Sequence, residues 1–269
     1  MGNHEGNGRQ YGLEHVKRRA DSPLAGKRIL FLGSSVTKGE ASLDVSFADY
    51  LAARDGVVAV KEAVSGTTLA DVEETSYVQR LLRKVDPAEK FDLAIVQLST
   101  NDATRIARGD DLELGKVAAG DPGNTVSAAK PESNGANTTT FEAQSESNGV
   151  DTTSLEAKSK SYDVRSTVGA MEFIIDYVRK TWNCPVFFYT SPRYDSQIYD
   201  TMVRKLYELR DKWGIGIIDM WTDEAFNALT EEQRSLYMAD PIHPTQAGYL
   251  LWWTPYFEAS LEAAINGRM

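Results

Sequence analysis

The stretch from Arg28 to Ser35 reads Arg-Ile-Leu-Phe-Leu-Gly-Ser-Ser, an apolar run that ends in a glycine and two serines. A short run without polar alternation is typical of a strand buried on both faces of a parallel sheet. Four similar runs lie at residues 57–63, 92–98, 185–190 and 215–220, and segments with helical spacing lie at 42–54, 77–84, 164–182, 196–213 and 244–266. Strands that alternate with helices predict a three-layer α/β/α fold with a doubly wound, mainly five-stranded parallel sheet.

The composition limits the classes of function. The chain has 269 residues, with 29 Lys and Arg against 39 Asp and Glu, so its formal net charge is −10. Binding to nucleic acid or to an anionic membrane needs a concentrated basic surface, which this balance disfavours. No apolar run has the length of a signal peptide or a membrane span, so we expect a soluble, cytoplasmic protein with no membrane partner.

Cysteine and histidine are too few to build a metal site. The one cysteine, Cys184, excludes an intrachain disulfide and fits a small buried side chain. Three histidines and scattered carboxylates show no zinc-ligand spacing. We therefore expect neither a metal nor another cofactor.

The chain divides into a polar leader, residues 1–26, and one domain, residues 27–269. We expect no core role for the leader. Residues 109–162 interrupt the alternation of strands and helices with a stretch rich in Ser, Thr, Asn and Gly, in which residues 132–145 are repeated at 146–159. So short a repeat cannot bury a core of its own, which indicates a surface insertion. A lid over the active site is the alternative.

The turn from Asp240 to Pro244 carries the best candidate for acid–base chemistry. The other histidines, His4 and His15, lie in the leader, so imidazole catalysis in the domain must use His243. Asp240 precedes it by three residues, a spacing that lets the carboxylate reach Nδ1 of the ring. Nε2 would then accept a proton from a serine. The same turn fits the start of a helix, and the two roles are compatible.

Small polar residues follow the first three predicted strands, at the edge where doubly wound sheets bind ligands. Each also has a purely structural interpretation, as a helix cap or as a glycine with positive φ. The residues are Ser34 and Ser35 after the first strand, Gly66 after the second and Asn101 after the third.

In this order, these residues resemble the four sequence blocks of the SGNH hydrolases, also called GDSL esterases and lipases. The blocks here are residues 33–36, Gly66, Asn101, and Asp240 with His243. The resemblance covers residues 27–107 and 163–260. It implies the flavodoxin-like SGNH-hydrolase fold and an enzyme that cleaves carboxylic esters through a Ser-His-Asp triad.

The resemblance also implies individual roles. Ser35 takes the third position of the family's Gly-Asp-Ser-Leu block and would be the nucleophile. Ser34 and Val36 replace the Asp and Leu of that block, so Ser34 stays an alternative nucleophile. The backbone N–H groups of Ser35 and Gly66 and the side-chain amide of Asn101 would form an oxyanion hole, which stabilises the negative charge that develops during acyl transfer.

The substrate is less well defined by the sequence. Arg105, Arg193 and Tyr194 are predicted at the catalytic edge and would suit a polar acyl carrier such as a sugar, although Arg193 fits an ion pair equally well. We expect a small-molecule or carbohydrate ester with a short acyl group, for example acetyl. Two alternatives stay open: an acyltransferase with the same triad, and a non-catalytic module that binds an anion at residues 33–37.

Overall fold

The computed structural model of the protein describes residues 4–119 and 162–265. Within these ranges, parallel strands form a five-stranded sheet in the order β2-β1-β3-β4-β5. This is the strand order of flavodoxin-like folds, and it confirms the predicted α/β/α architecture. The strands are β1 Arg28–Gly33, β2 Val58–Ala63, β3 Leu93–Gln97, β4 Val186–Tyr189 and β5 Gly216–Ile218.

Helices cover both faces of this sheet. They are α1 Ser35–Lys38, α2 Phe47–Asp55, α3 Tyr77–Lys84, α4 Thr100–Arg108, α5 Thr167–Trp182, α6 Gln197–Trp213, α7 Glu224–Asn227, α8 Glu231–Tyr237, α9 Gln246–Gly248 and α10 Thr254–Ile265. A π-helical turn, Tyr249–Trp253, joins α9 to α10. Over the two described ranges, no helix has the length and apolarity needed to cross a bilayer.

Two apolar cores lie on opposite faces of the sheet. Leu30 and Leu32 of β1 pack into one core, and Ile29 and Phe31 pack into the other, because successive side chains of a strand point to opposite faces. β1 lies between β2 and β3, so both of its faces and both of its edges are covered. This explains the continuous apolar run in its sequence and fixes the position of the residues that follow it.

Helix α2 begins at Phe47, five residues later than predicted. Leu43 and Asp44 have φ values of 59° and 61°, in the left-handed region, and cannot belong to an α-helix. Ser46 and Asp49 then form a capping box that starts the helix. The apolar spacing in the sequence therefore begins at residue 42, several residues before the α-helix itself begins at Phe47.

The polar leader packs against the domain, so the expectation that it has no core role is wrong. Leu24 is completely buried in the core around Phe31. The side chain of Asn7 donates to the carbonyl of Ala41 at 2.7 Å and accepts from the backbone N–H of Gln246 at 2.9 Å. The packing was not evident from the sequence because the partners of these contacts lie far from the leader along the chain.

Only the ends of the predicted insertion lie in the described ranges. Glu113 forms a parallel bridge with Ser166, and the backbone N–H of Ala118 donates to the carboxylate of Glu172 at 2.9 Å. The first residues of the segment therefore run along the start of α5. The repeats at 132–145 and 146–159 lie outside the described residues, so the surface-loop and lid hypotheses both stay predictions.

Candidate active site

A tight turn joins β1 to α1 and presents Ser35. Gly33 closes the strand where a Cβ would lie 1.7 Å from Oγ1 of Thr37, so only glycine fits. Gln97, at the end of β3, accepts from the backbone N–H of Ser34 at 2.9 Å and from the hydroxyl of Thr37 at 2.8 Å. These contacts fix the residues before and after Ser35 to the neighbouring strand β3.

Ser35, His243 and Asp240 form a hydrogen-bonded relay. The Oγ of Ser35 lies 2.8 Å from Nε2 of His243, and Nδ1 of the same ring lies 2.8 Å from Oδ2 of Asp240. The other carboxylate oxygen of Asp240 accepts from the backbone N–H groups of Ile242 at 2.7 Å and His243 at 2.8 Å. This geometry fits a ring that is protonated on Nδ1 and accepts the serine proton on Nε2.

The environment of Asp240 favours its ionised form. Partial burial alone would raise the pKa of Asp240, but the backbone N–H groups of Ile242 and His243, together with the imidazole, lower it below its usual value. The carboxylate therefore stays charged at neutral pH and can stabilise an imidazolium.

The serine and the acid–base pair differ in their exposure to solvent. Ser35 is buried, whereas the side chains of His243 and Asp240 are 24% and 48% exposed. The ring thus bridges a buried hydroxyl and a surface carboxylate, so water can approach the relay from the side of His243.

The predicted oxyanion donors lie at the ends of the two strands that flank β1. Gly66 follows β2 with a φ of 80°, a conformation that favours glycine, and a Cβ there would meet nothing within 4 Å. Asn101 lies in the first turn of α4, directly after β3, and its Nδ2 donates to the carbonyl of Thr67 at 2.9 Å. An amide nitrogen has two protons, and the second has no acceptor among the residues that the structure describes.

Asp102 holds the Gly66 loop against α4. Its carboxylate is fully buried and accepts from the backbone N–H groups of Leu69 at 2.8 Å and Ala70 at 3.1 Å. Burial raises the pKa of Asp102, and its hydrogen-bond donors oppose that rise. Neither Asp102, which also fits a helix cap, nor Gln97 was expected from the sequence to support the site. For Gln97, a polar residue ending an apolar strand was the available signal.

The structure brings the three predicted substrate-contacting residues into different surroundings. Arg105 forms ion pairs with Glu73 at 3.1 Å and Asp110 at 3.7 Å. The ring of Tyr194 packs against aromatic neighbours. Arg193 is exposed, and within the described part of the chain its guanidinium has no ion-pair or hydrogen-bond partner.

Ser34 lies beside the relay but outside it. Its side chain is completely buried, and it is the backbone N–H of Ser34, not the hydroxyl, that donates to Gln97. Between the two candidate nucleophiles, Ser35 is the one whose hydroxyl lies within hydrogen-bond distance of the His243 ring.

A family model for the GDSL-like Lipase/Acylhydrolase family matches residues 31–251. The chain belongs to this family. The match spans β1 through the π-helical turn and therefore includes every residue of the relay and of the predicted oxyanion hole. The resemblance inferred from the sequence blocks is confirmed. A comparison with curated proteins gave no match.

Solved structures share the fold at low sequence identity. A protein from Lactobacillus plantarum is 16% identical with a TM-score of 0.58, over 91% of this chain and 99% of that one. Axe2, an acetylxylan esterase from Geobacillus stearothermophilus, is 12% identical with a TM-score of 0.52, over 90% and 96%. A G-D-S-L family protein from Desulfitobacterium hafniense DCB-2 is 12% identical with a TM-score of 0.52, over 87% and 99%.

Proposed function

We propose that the protein is a serine hydrolase that cleaves carboxylic esters through an acyl-enzyme. The observation that carries the proposal is the continuous relay from Ser35 through His243 to Asp240, with 2.8 Å at each step between side chains. Membership of an acylhydrolase family supports the same class of reaction. The alternative of an anion-binding module draws no support from α1, because this helix has only four residues.

The first half of the proposed reaction acylates Ser35. His243 accepts the serine proton on Nε2 while Oγ attacks the ester carbonyl carbon, and Asp240 stabilises the resulting imidazolium. The carbonyl oxygen becomes an oxyanion held by the backbone N–H groups of Ser35 and Gly66 and by the Asn101 amide. When the carbon–oxygen bond to the alcohol breaks, the alcohol takes the proton from His243.

The second half regenerates the enzyme. His243 removes a proton from water, and the hydroxide attacks the acyl carbon under the same donors. The tetrahedral intermediate collapses, Ser35 recovers its proton from the imidazolium and the carboxylic acid leaves. A sugar hydroxyl in place of water would give acyl transfer through the same steps.

For the substrate we propose a short acyl ester, for example acetyl, on a carbohydrate or a small polar molecule. Two observations support this choice. The guanidinium of Arg193, beyond the end of β4, has no partner among the described residues, and the fold is shared with an acetylxylan esterase. Arg105 and Tyr194 make packing or ionic contacts within the protein, so we propose Arg193 as the substrate contact among the three.

The test is hydrolysis of p-nitrophenyl esters from acetyl to octanoyl by wild type, Ser35→Ala and Ser34→Ala. We expect the highest kcat/KM with acetyl or butyryl ester and a loss of about 10⁵- to 10⁶-fold in kcat for Ser35→Ala, as for other triad nucleophiles. Ser34→Ala is the matched control, which should keep kcat within about threefold because its hydroxyl makes no bond to the ring.

Two results would contradict the proposal. Full turnover by Ser35→Ala, with loss in Ser34→Ala, would transfer the nucleophile role to Ser34. A folded wild type that hydrolyses none of the esters, with or without added sugar acceptors, would exclude both hydrolysis and transfer.

A further inference from the structure

Arg80, on α3, is a buried cation next to the predicted oxyanion hole. Its side chain is 4% exposed. Within the protein, Nε donates to the carbonyl of Thr75 at 2.9 Å, and Nη1 donates to the carbonyl of Glu62 at 2.9 Å and to its carboxylate at 3.2 Å. These contacts hold the guanidinium against the end of β2.

The remaining nitrogen, Nη2, connects the two backbone segments that carry the oxyanion donors. It donates to the carbonyl of Gly33 at 2.7 Å and to the hydroxyl of Thr67 at 3.2 Å. Gly33 lies two residues before Ser35, and Thr67 directly follows Gly66. One rigid group therefore fixes the end of β1 relative to the loop after β2.

The third donor is connected to the same group through Thr67. The carbonyl of Thr67 accepts a hydrogen bond from Nδ2 of Asn101 at 2.9 Å. The hydroxyl of Thr67 accepts a hydrogen bond from Nη2 of Arg80 and donates one to the carbonyl of Val64 at 2.7 Å. The chain Arg80 to Thr67 to Asn101 thus orients the amide that would meet the substrate oxygen.

The chemistry of these contacts requires a guanidinium. Arginine has five N–H groups in a fixed planar fork, and here all five have acceptors on four different residues. A lysine ammonium has three donors around one point and cannot span these positions. Glu62 balances the charge, and the ring of Tyr77 lies 5.1 Å from the guanidinium carbon.

We propose that Arg80 is a positioning residue that sets the relative geometry of all three oxyanion donors. This inference rests on the proposed ester hydrolysis, because it assigns a role in stabilising the same oxyanion. Arg80 makes no contact with the reacting atoms. It acts through Gly33 and Thr67, so its loss should affect the transition state more than the binding of substrate.

The experiment compares an oxygen ester with its thiono analogue, p-nitrophenyl acetate with p-nitrophenyl thionoacetate. Sulfur accepts hydrogen bonds weakly, so a displaced oxyanion hole should harm the oxygen ester more than the thiono ester. We expect Arg80→Lys to lower kcat for the oxygen ester by about 10- to 100-fold, approaching the roughly 10²- to 10³-fold cost of removing a donor. The ratio of oxygen-ester to thiono-ester rates should fall at least about fivefold, with KM nearly unchanged.

The matched control is Lys212→Met, which breaks a buried ion pair outside the site. Nζ of Lys212 lies 2.6 Å from the carboxylate of Glu172, and the two side chains are 15% and 1% exposed. This variant should lose thermal stability as Arg80→Lys does, but should keep the wild-type rate ratio. If the ratio of oxygen-ester to thiono-ester rates falls in Arg80→Lys but not in Lys212→Met, the fall is not a general effect of lower stability.

A milder pair of variants keeps the test valid if Arg80→Lys fails to fold. Thr67→Val removes the hydroxyl that Arg80 holds, and Thr68→Val removes a neighbouring buried hydroxyl that bonds to the carbonyl of Ala70 at 2.8 Å. Both changes keep the shape of the side chain. Only Thr67→Val should lower the rate ratio.

If Arg80→Lys and Thr67→Val lose rate equally on both esters, or lose none, the positioning role of Arg80 is overturned while the proposed ester hydrolysis stands. A wild type that cleaves neither ester and does not react with a fluorophosphonate would overturn the proposed function and this inference with it. The two failures are therefore distinguishable.

Discussion

The two halves of the candidate active site are built in different ways. The donor half, with Ser35, Gly66 and Asn101, follows three adjacent strands of the sheet. The acid–base half, Asp240 and His243, lies on a partly exposed turn before α9.

Their supporting contacts differ as well. Buried side chains from other elements hold the donor half: Gln97 on β3, Arg80 on α3 and Asp102 on α4. The acid–base half is held by hydrogen bonds between residues two or three apart in sequence, from Ile242 and His243 to Asp240. The donor half depends on the tertiary fold, whereas the acid–base half depends mainly on its local turn.

The difference fits what each half would do in the proposed reaction. Donors stabilise an oxyanion only if they are already in place when the charge develops, so they need a rigid support. The base must exchange protons with an alcohol and with water, so it needs contact with solvent. Variants in the two halves should therefore fail in different ways.

Among variants that keep the nucleophile Ser35, the largest effect should follow a change in the acid–base half. We expect Asp240→Asn to lower kcat by about 10⁴-fold, because the amide favours the wrong tautomer of His243. Its melting temperature should stay close to that of wild type, since the turn is exposed and its backbone contacts can persist. The measurements are ester kinetics and thermal melting. A loss below about 100-fold would show that the ring does not depend on Asp240.

The next effect tests the donor half directly. We expect Asn101→Ala to lower kcat by about 10²- to 10³-fold with little change in KM, as for the loss of an oxyanion donor elsewhere. Thr104→Ala, one turn along α4, is the control, because its hydroxyl bonds to the carbonyl of Thr100 within the same helix and to no other residue that the structure describes. Comparable kinetics in the two variants would remove Asn101 from the proposed mechanism.

A smaller effect should arise where the leader joins the two halves. Asn7 bridges Ala41, which follows α1, and Gln246, which follows His243. We expect Asn7→Ala to lower the free energy of unfolding by about 1 to 3 kcal/mol, because the N–H of Gln246 loses its acceptor. It should also lower kcat severalfold by loosening the distance from Ser35 to His243. Unchanged stability in urea titrations would show that the bridge does not hold the halves together.

The smallest catalytic effect should come from Glu258, on α10, outside both halves. Burial, with the neighbouring Asp55 carboxylate, raises the pKa of Glu258 to about 7 from 4.5. Between these two pH values the folded protein keeps a proton that the unfolded chain releases, so the stability of the wild type falls as pH rises through this window.

Glu258→Gln cannot ionise and should therefore be less affected by the rise in pH. We expect its melting temperature, relative to wild type, to increase from pH 5 to pH 8, while kcat at 25 °C stays unchanged. Thermal melts across this range provide the measurement. A difference that is constant with pH would show that Glu258 does not titrate there.

The fold could be predicted because its strongest signal is local. The apolar runs that became β1 to β5 are largely buried or partly buried. The predicted helical segments that became α3, α5, α6 and α9 begin within three residues of their predicted starts. The predicted segments did not include α4 or the short helices α1, α7 and α8. Helices of four to seven residues show little periodicity.

The site was only partly predictable for the same reason. Asp240 and His243 are three residues apart, so their contact could be inferred from the sequence. Arg80 and Asn7 act through residues such as Gly33 and Gln246, which lie 47 and 239 positions away. A local pattern does not identify the distant partners of such contacts. For Arg80, the available signal was a charged residue within the apolar stripe of α3.

The most direct test of the account is the site of covalent labelling by an alkyl fluorophosphonate, located by fragmentation mass spectrometry of the peptide that contains Ser34 and Ser35. The account predicts one adduct, on Ser35, which forms equally in Ser34→Ala and is lost in Ser35→Ala and His243→Ala. An adduct on Ser34, or labelling that survives Ser35→Ala, would contradict it.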